Sequence, residues 1–186
     1  MIAAVPRSYD SWCSILADER LPAAVVDLDA VDRNLERLLS RLAPGPTLRI
    51  ASKSLRVPGL MERLLERERL AGVMTYAADE MRMLADRGVT DLLAGYPVAR
   101  PGDGAVLAEL AARPKLRAIA MVDCPEHVAL LADAALPGHP IPLCLDVDVS
   151  LQVLGQHLGV RRSPIRDVDS ALEVGRSIQA AEGVEL

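Results

Sequence analysis

The sequence predicts an α/β fold, a parallel (β/α)8 TIM-type barrel of which about five to six βα units are expected. Two observations lead there. Short apolar runs alternate with amphipathic segments, one strand and one helix roughly every 20–25 residues. No β-hairpin signal separates them, so consecutive strands are expected to be joined by right-handed helical crossovers into a parallel sheet. An open doubly wound sheet fits the same alternation. Its nucleotide-binding form is weakened by the lack of a G-x-G-x-x-G after the first strand and of a P-loop. A full barrel takes about 250 residues and this chain has 186, so residues 1–186 are expected to be a truncated barrel domain.

The elements follow in order. Ala23 to Asp27 is a short apolar run. Asp29 is expected to N-cap the next helix, in which Val31, Leu35, Leu38, Leu39 and Leu42 recur at helical spacing. Pro44-Gly45-Pro46 stops it. Residues 48–52 read as the first barrel strand. Pro58 sits where a first helical turn accepts proline, and Leu60, Leu64 and Leu65 mark that helix's apolar face. A strand over 72–76 precedes a helix over 79–87, ended by Gly88. A strand over 91–94 precedes a helix over 104–113. A strand over 116–122 precedes a helix capped by Asp123, opened by Pro125 and running to about Ala134. A strand over 141–147 leads into a long irregular stretch, 150–164. A helix over 167–181 and the start of a strand at Val184 complete the chain.

Composition narrows the function. Half of the chain is apolar (51%), enough for a real core, and the net charge is −5. No basic block interleaves with aromatics, which argues against a nucleic-acid surface. No apolar run is long enough for a membrane span, and the first residues lack the apolar stretch of a secretory signal. Cys13, Cys124 and Cys144 are odd in number and widely spaced, as expected of reduced thiols in a cytoplasmic protein. His127, His139 and His157 share no helical ligand spacing, so the sequence supports no metal site.

The most informative residue is Lys53. Nineteen arginines but two lysines carry the positive charge. A lysine kept in that background, at the end of a strand-like run, is suited to chemistry closed to a guanidinium. Desolvation or a neighbouring cation frees its amine, and the free amine forms a Schiff base. Arg56, three residues on, is the candidate cation. The alternative is a lysine snorkelling from a strand end.

Several segments together resemble a known family. They are Leu21-Pro22-Ala23-Ala24-Val25-Val26-Asp27-Leu28-Asp29, then 49–56 around Lys53, then Ala71-Gly72-Val73-Met74-Thr75-Tyr76 and Asp91-Leu92-Leu93-Ala94-Gly95-Tyr96-Pro97. Cys144-Leu145-Asp146-Val147-Asp148 and His157-Leu158-Gly159-Val160-Arg161-Arg162-Ser163-Pro164 follow. Their order and spacing resemble the N-terminal part of the alanine racemase-like, fold-type III pyridoxal-phosphate enzymes. Within them the chain is most similar to the D-threonine aldolase and D-serine dehydratase-like branch, which includes amino acid deaminase/aldolases. The resemblance implies pyridoxal 5′-phosphate held by Lys53 as an internal aldimine, and a lyase acting on small D- or β-hydroxy amino acids. It leaves dehydration, retro-aldol cleavage and racemisation open. A non-catalytic barrel that buffers the cofactor and an inactive fragment are the other readings. A homodimer at full length stays open.

Further site candidates are graded by position. Arg56 is placed to contact the phosphate or tune the lysine, or is a surface charge ahead of a helix. Tyr76 and Tyr96 end strands, where a phenol faces the cofactor or simply edges the core. Asp146 and Asp148 alternate with apolar residues, so both are expected on one side of their strand, and Asp148 is a cofactor-site candidate. His157 and Arg161, beside Arg162, lie in the long stretch at the substrate-binding face. At Gln152 the related sequences tend to carry Arg, so a charge is lost there. The glycine-rich phosphate site after the seventh and eighth strands, the C-terminal β-domain and the aldolase branch's metal ligands are not expected within 1–186. The isolated chain is therefore expected to be inactive and poorly soluble.

Overall fold

The computed structural model of the chain describes residues 7–186. The described chain divides into two compact units, one ending at Pro44 and the other spanning residues 45–186. In the first unit, α1 (Tyr9–Ile15) is opened by Ser8, whose hydroxyl accepts from the Ser11 N–H. Residues 23–27 form no strand. Helix α2 (Leu28–Leu39) is capped by Asp27, not by Asp29 as expected: the Asp27 carboxylate accepts from the Ala30 N–H at 3.0 Å. Asp29 instead occupies the first turn, where a carboxylate complements the positive helix end.

The second unit is the barrel part. Strand β1 (Leu48–Ala51) runs into a single helical turn, α3 (Ser52–Leu55), and then α4 (Pro58–Leu65). There follow β2 (Leu70–Thr75), α5 (Ala78–Asp86), β3 (Asp91–Pro97), α6 (Pro101–Ala111), β4 (Arg117–Val122), α7 (Pro125–Ala134) and β5 (Ile141–Leu145). The irregular stretch holds a small antiparallel pair, β6 (Leu151–Val153) and β7 (Gln156–Leu158), before α8 (Val168–Ala180) and β8 (Val184–Glu185). Prolines at the first turns of α4, α6 and α7 explain their starts, because that position has no N–H to lose. Helix α6 accordingly begins at Pro101, earlier than the expected Gly104. Helix α8 opens with the Asp167 and Ser170 capping box.

The main sheet has the order β1-β2-β3-β4-β5-β8, and every neighbouring pair is parallel. The order never doubles back. Right-handed crossovers that all step the same way put every helix on one face, as in a barrel, whereas a doubly wound sheet must reverse direction. Successive helices α5, α6, α7 and α8 touch one another along that face. The fold is thus six strands of a (β/α) barrel with its outer helices.

Two faces of the sheet differ in chemistry. Toward the helices, Val73, Leu92, Ala94, Ala118, Ala120 and Val122 pack with Met81, Leu84, Leu107, Leu110, Leu131 and Ile178 in one buried core. The alternate residues form the inner face. Register pairs Arg49 with Gly72, Met74 with Leu93, Asp91 with Arg117, Leu93 with Ile119, and Met121 with Cys144. At its N-terminal end the Asp91 carboxylate accepts from Arg49 Nε at 2.5 Å and Nη2 at 3.1 Å, and Arg117 lies 3.8 Å away. Gly72 is required there: a Cβ on it would lie 2.0 Å from the Asp91 carbonyl oxygen.

Three local expectations are corrected. Strand β1 stops at Ala51, so Lys53 stands on the helical turn that follows rather than next to the last strand residue. Asp123 caps nothing; Cys124 is the N-cap residue of α7 and makes no side-chain cap. The stretch read as irregular contains the β6–β7 hairpin. Its two-residue turn puts Leu154 at φ 50° and Gly155 at φ 77°, the paired positive dihedrals of a type I′ turn. A leucine in that conformation is uncommon, so the usual Asn-Gly turn signal is missing.

Candidate functional site at the strand ends

A parallel barrel gathers function where its strands end. Lys53, Tyr76, Tyr96 and Asp146 all stand at or just past the C-terminal ends of β1, β2, β3 and β5.

The tightest group is built around Tyr96. Lys53 Nζ donates to Tyr96 Oη at 2.9 Å and lies 5.5 Å from the ring centroid. The Arg162 guanidinium sits 5.0 Å from the same centroid. Arg162 is itself fixed: Nε donates to Asp146 Oδ2 at 2.9 Å, and Nη2 donates to the Gly95 carbonyl, beside Tyr96. Ser163 Oγ donates to the Asp146 carbonyl at 2.5 Å and is fully enclosed, which ties the post-β5 segment to the Arg162 segment. The hydrogen bond from Lys53 and then the Lys53 charge lower the Tyr96 phenol below its ordinary range; burial opposes them, and Arg162 adds the smallest lowering.

A second group centres on Arg56, which takes the left-handed conformation at the end of α3 (φ 48°). Its guanidinium lies 5.5 Å from the Tyr76 ring centroid, and its Nε donates to the Lys53 carbonyl at 3.3 Å. Glu80 closes this corner: its Oε2 accepts from Ser52 Oγ at 2.8 Å and from the Tyr76 N–H at 3.0 Å. A shallow cleft there is lined by Arg56, Met61, Tyr76, Glu80 and Met83.

The third group is Asp148. Past the end of β5, it is still buried, as is Asp146. Its Oδ1 accepts from the Ser150 N–H at 2.9 Å, and Arg166 Nε lies 3.5 Å from Oδ2. Hydrogen bonds from Ser150 hold its carboxyl below the usual range against burial, helped by His157 and Arg166. Both His157 ring nitrogens are enclosed without a hydrogen-bond partner. Gln152 is His157's partner across the hairpin.

The structure therefore joins Lys53 to Tyr96, Arg56 to Tyr76, and His157 electrostatically to Asp148. Arg161 is exposed, and its neighbour Arg162 is the arginine built into the mouth. Glu80 was missed by sequence reasoning, because a carboxylate in the first turn of a helix carries no signal of what it accepts from. A second missed group is Asp123, Cys124 and His127, whose donor atoms lie within 4.8 Å of one another. His127 Nδ1 is 2.8 Å from Asp123 Oδ1 without the alignment of a hydrogen bond. Burial, together with the nearby carboxylates of Glu126 and Asp123, pushes the Cys124 thiol up, against a hydrogen bond from the His127 backbone. Their donor types suit a borderline divalent ion such as zinc. The spacing Asp-Cys-x-x-His was the available signal.

Among solved structures, the crystal structure of D-threonine aldolase from Filomicrobium marinum is similar to this chain. The TM-score is 0.78 and the identity 26%, over 92% of this chain and 43% of that one. The chain thus spans less than half the length of that protein. No curated protein matches. The family described as alanine racemase, N-terminal domain, matches residues 26–186. That span takes in every strand of the barrel part and Lys53 at its mouth, and the chain belongs to the alanine racemase N-terminal domain family.

Proposed function

We infer that this chain is the lysine-bearing part of a pyridoxal-phosphate-dependent lyase, an amino acid deaminase/aldolase acting on a small D- or β-hydroxy amino acid. The observation that carries the reading is the Lys53 amine at the mouth, exposed and oriented by Tyr96 Oη at 2.9 Å. The residues present fit such a cofactor. They offer a reachable primary amine, and cations to face an anionic group: Arg56 and Arg162 beside Lys53, and exposed Arg161. When bound, pyridoxal phosphate supplies an electron sink for bond breaking at the substrate α-carbon.

The roles of the chain's own residues follow. Lys53 holds the cofactor through its amine. Tyr96 orients that amine, and Asp146 keeps Arg162 against the phenol. Arg56 and Tyr76 form the neighbouring wall, with Glu80 bracing the turn that carries Lys53. Asp148, anchored by Ser150, positions the hairpin that carries His157 toward substrate, and Arg161, past that hairpin, is the exposed cation left for a substrate carboxylate. Among the described residues no helix is long and apolar enough to cross a membrane, and all three cysteines are unpaired, which supports a reducing, cytoplasmic setting.

The test is covalent attachment. Protein incubated with pyridoxal phosphate, reduced with borohydride and digested should carry the label on the peptide containing Lys53. Lys53→Ala should lose it and lose turnover of hydroxy amino acids. Equal labelling of the variant would place the cofactor lysine elsewhere. Labelling without turnover would favour a cofactor carrier over a lyase.

A further inference from the structure

We propose that Tyr96 is the proton partner of Lys53, its phenol oxygen taking a proton from the amine and returning it, with Arg162 as the residue that positions the ring. The use of this pair in catalysis rests on the cofactor role of Lys53; the pair itself needs no bound group. Lys53 and Tyr96 lie on α3 and at the end of β3, with β2 between their strands, yet Nζ reaches Oη at 2.9 Å. A lysine free to extend into solvent is instead turned to one phenol. That phenol cannot swing away easily. Arg162 covers its ring and grips the Gly95 carbonyl one residue earlier, and Arg162 is in turn held by Asp146. The other charges facing the pair are Arg56, bonded to the Lys53 carbonyl, and Asp146 behind Arg162.

The transfer balances within the pair. The N–H bond of the Lys53 ammonium breaks, its electron pair stays on Nζ, and an O–H bond forms on the Tyr96 phenolate. The reverse step restores the ammonium. At 2.9 Å the Lys53 amine and the Tyr96 phenol are in direct hydrogen-bond contact, so the proton moves along a formed bond with no bridging group. The Lys53 hydrogen bond and charge, opposed by burial and helped least by Arg162, favour the phenolate form of Tyr96.

Tyr76 is an internal control, because it is as exposed as Tyr96 (47% against 44%) and has a cation, Arg56, over its ring. Nitration by tetranitromethane, which attacks phenolate, should mark Tyr96 severalfold faster than Tyr76 in peptide maps of the purified protein at mildly alkaline pH. The ultraviolet titration difference between the wild type and Tyr96→Phe should show the Tyr96 phenol ionising below the ordinary phenol range. Lys53→Met should move that ionisation up strongly and Arg162→Gln only slightly, while Arg162→Lys restores part of that slight change. Equal nitration of the two tyrosines, or a Tyr96 titration unmoved by Lys53→Met, would overturn the pairing. Neither readout uses cofactor. A failed cofactor label with an intact Tyr96 shift would reject only the catalytic role of Lys53, and a normal Tyr96 with a labelled Lys53 would reject only this proposal.

Discussion

Gly72→Ala is the sharpest test of how the inner face is built. The added Cβ would meet the Asp91 carbonyl oxygen at 2.0 Å, the Asp91 Cβ at 2.7 Å and the Asp91 carbonyl carbon at 2.8 Å. Two of these are backbone atoms of the neighbouring strand, so relief requires β2 and β3 to separate or shift register. Overpacking costs typically about 1–3 kcal/mol where side chains yield, and rigid backbone partners put this site at about 3 kcal/mol. Replacing a strand glycine returns roughly 0.5–1 kcal/mol of conformational entropy, so a net loss of about 2 kcal/mol remains. For a domain of this size that lowers Tm by about 4–8 °C. Displacing Asp91 also disturbs its two hydrogen bonds from Arg49, which adds to the loss. The matched control is Gly175→Ala in α8, where an added Cβ meets nothing within 4 Å and no positive φ is required. That change should stabilise by up to about 1 kcal/mol. Thermal and urea unfolding of both variants decide it: a Gly72→Ala protein as stable as the wild type would mean that the two strands do not approach this closely.

Leu107, fully enclosed between α6 and the sheet, should cost about 2–5 kcal/mol when cut to Ala, read as a lower urea midpoint with an unchanged slope; a loss below 1 kcal/mol would mean the helix face is not packed as described. Asp167→Ala removes the α8 cap and should lower Tm by a few degrees, with Asp167→Asn losing less. The Asp167 carboxyl is lowered by its hydrogen bonds from Ser170, first the backbone N–H and then the hydroxyl. Its contribution is therefore complete above the unfolded carboxyl value of about 3.9 and fades as pH falls through the lower folded value. The difference between wild type and Asp167→Ala should shrink only in that acid window, and a difference that vanished near neutrality would contradict the assignment.

Most of the frame was legible because its signals are local. A proline at a first helical turn, a Gly after a last one and an apolar run between them fix an element almost without its neighbours. Pro58, Gly88 and Pro125 mark boundaries that the structure keeps to within a residue. The direction of winding was legible too, since alternation without hairpins leaves few topologies. What misled were rival caps and weak turns. Asp27 and Asp29 are equally good capping residues, and the choice of Asp27 depends on where the incoming chain turns. The β6–β7 hairpin hides behind Leu154-Gly155, because a leucine at positive φ is not what that turn usually carries.

The mouth divides along the same line. Lys53 was legible as chemistry, because amines and guanidiniums differ and the chain offers only two of the former. Its partners were not. Tyr76 and Tyr96 look alike as strand-end phenols, and both end with an arginine over the ring. The structure separates them by what reaches the hydroxyl. At Tyr96 it is the Lys53 amine, which crosses over β2 from a turn that exists because β1 stops at Ala51. The pairing of Arg162 rather than Arg161 has the same origin. The Arg162 N–H donates to the Val160 carbonyl at 2.9 Å, so the chain turns there rather than running extended, and Arg162 is carried to the Asp146 carboxylate while Ser163 is buried against the Asp146 carbonyl. The place of the inward arginine is thus set by that local turn and by a buried serine hydroxyl seventeen residues from its acceptor. Only the folded register of β5 and the hairpin brings the two together.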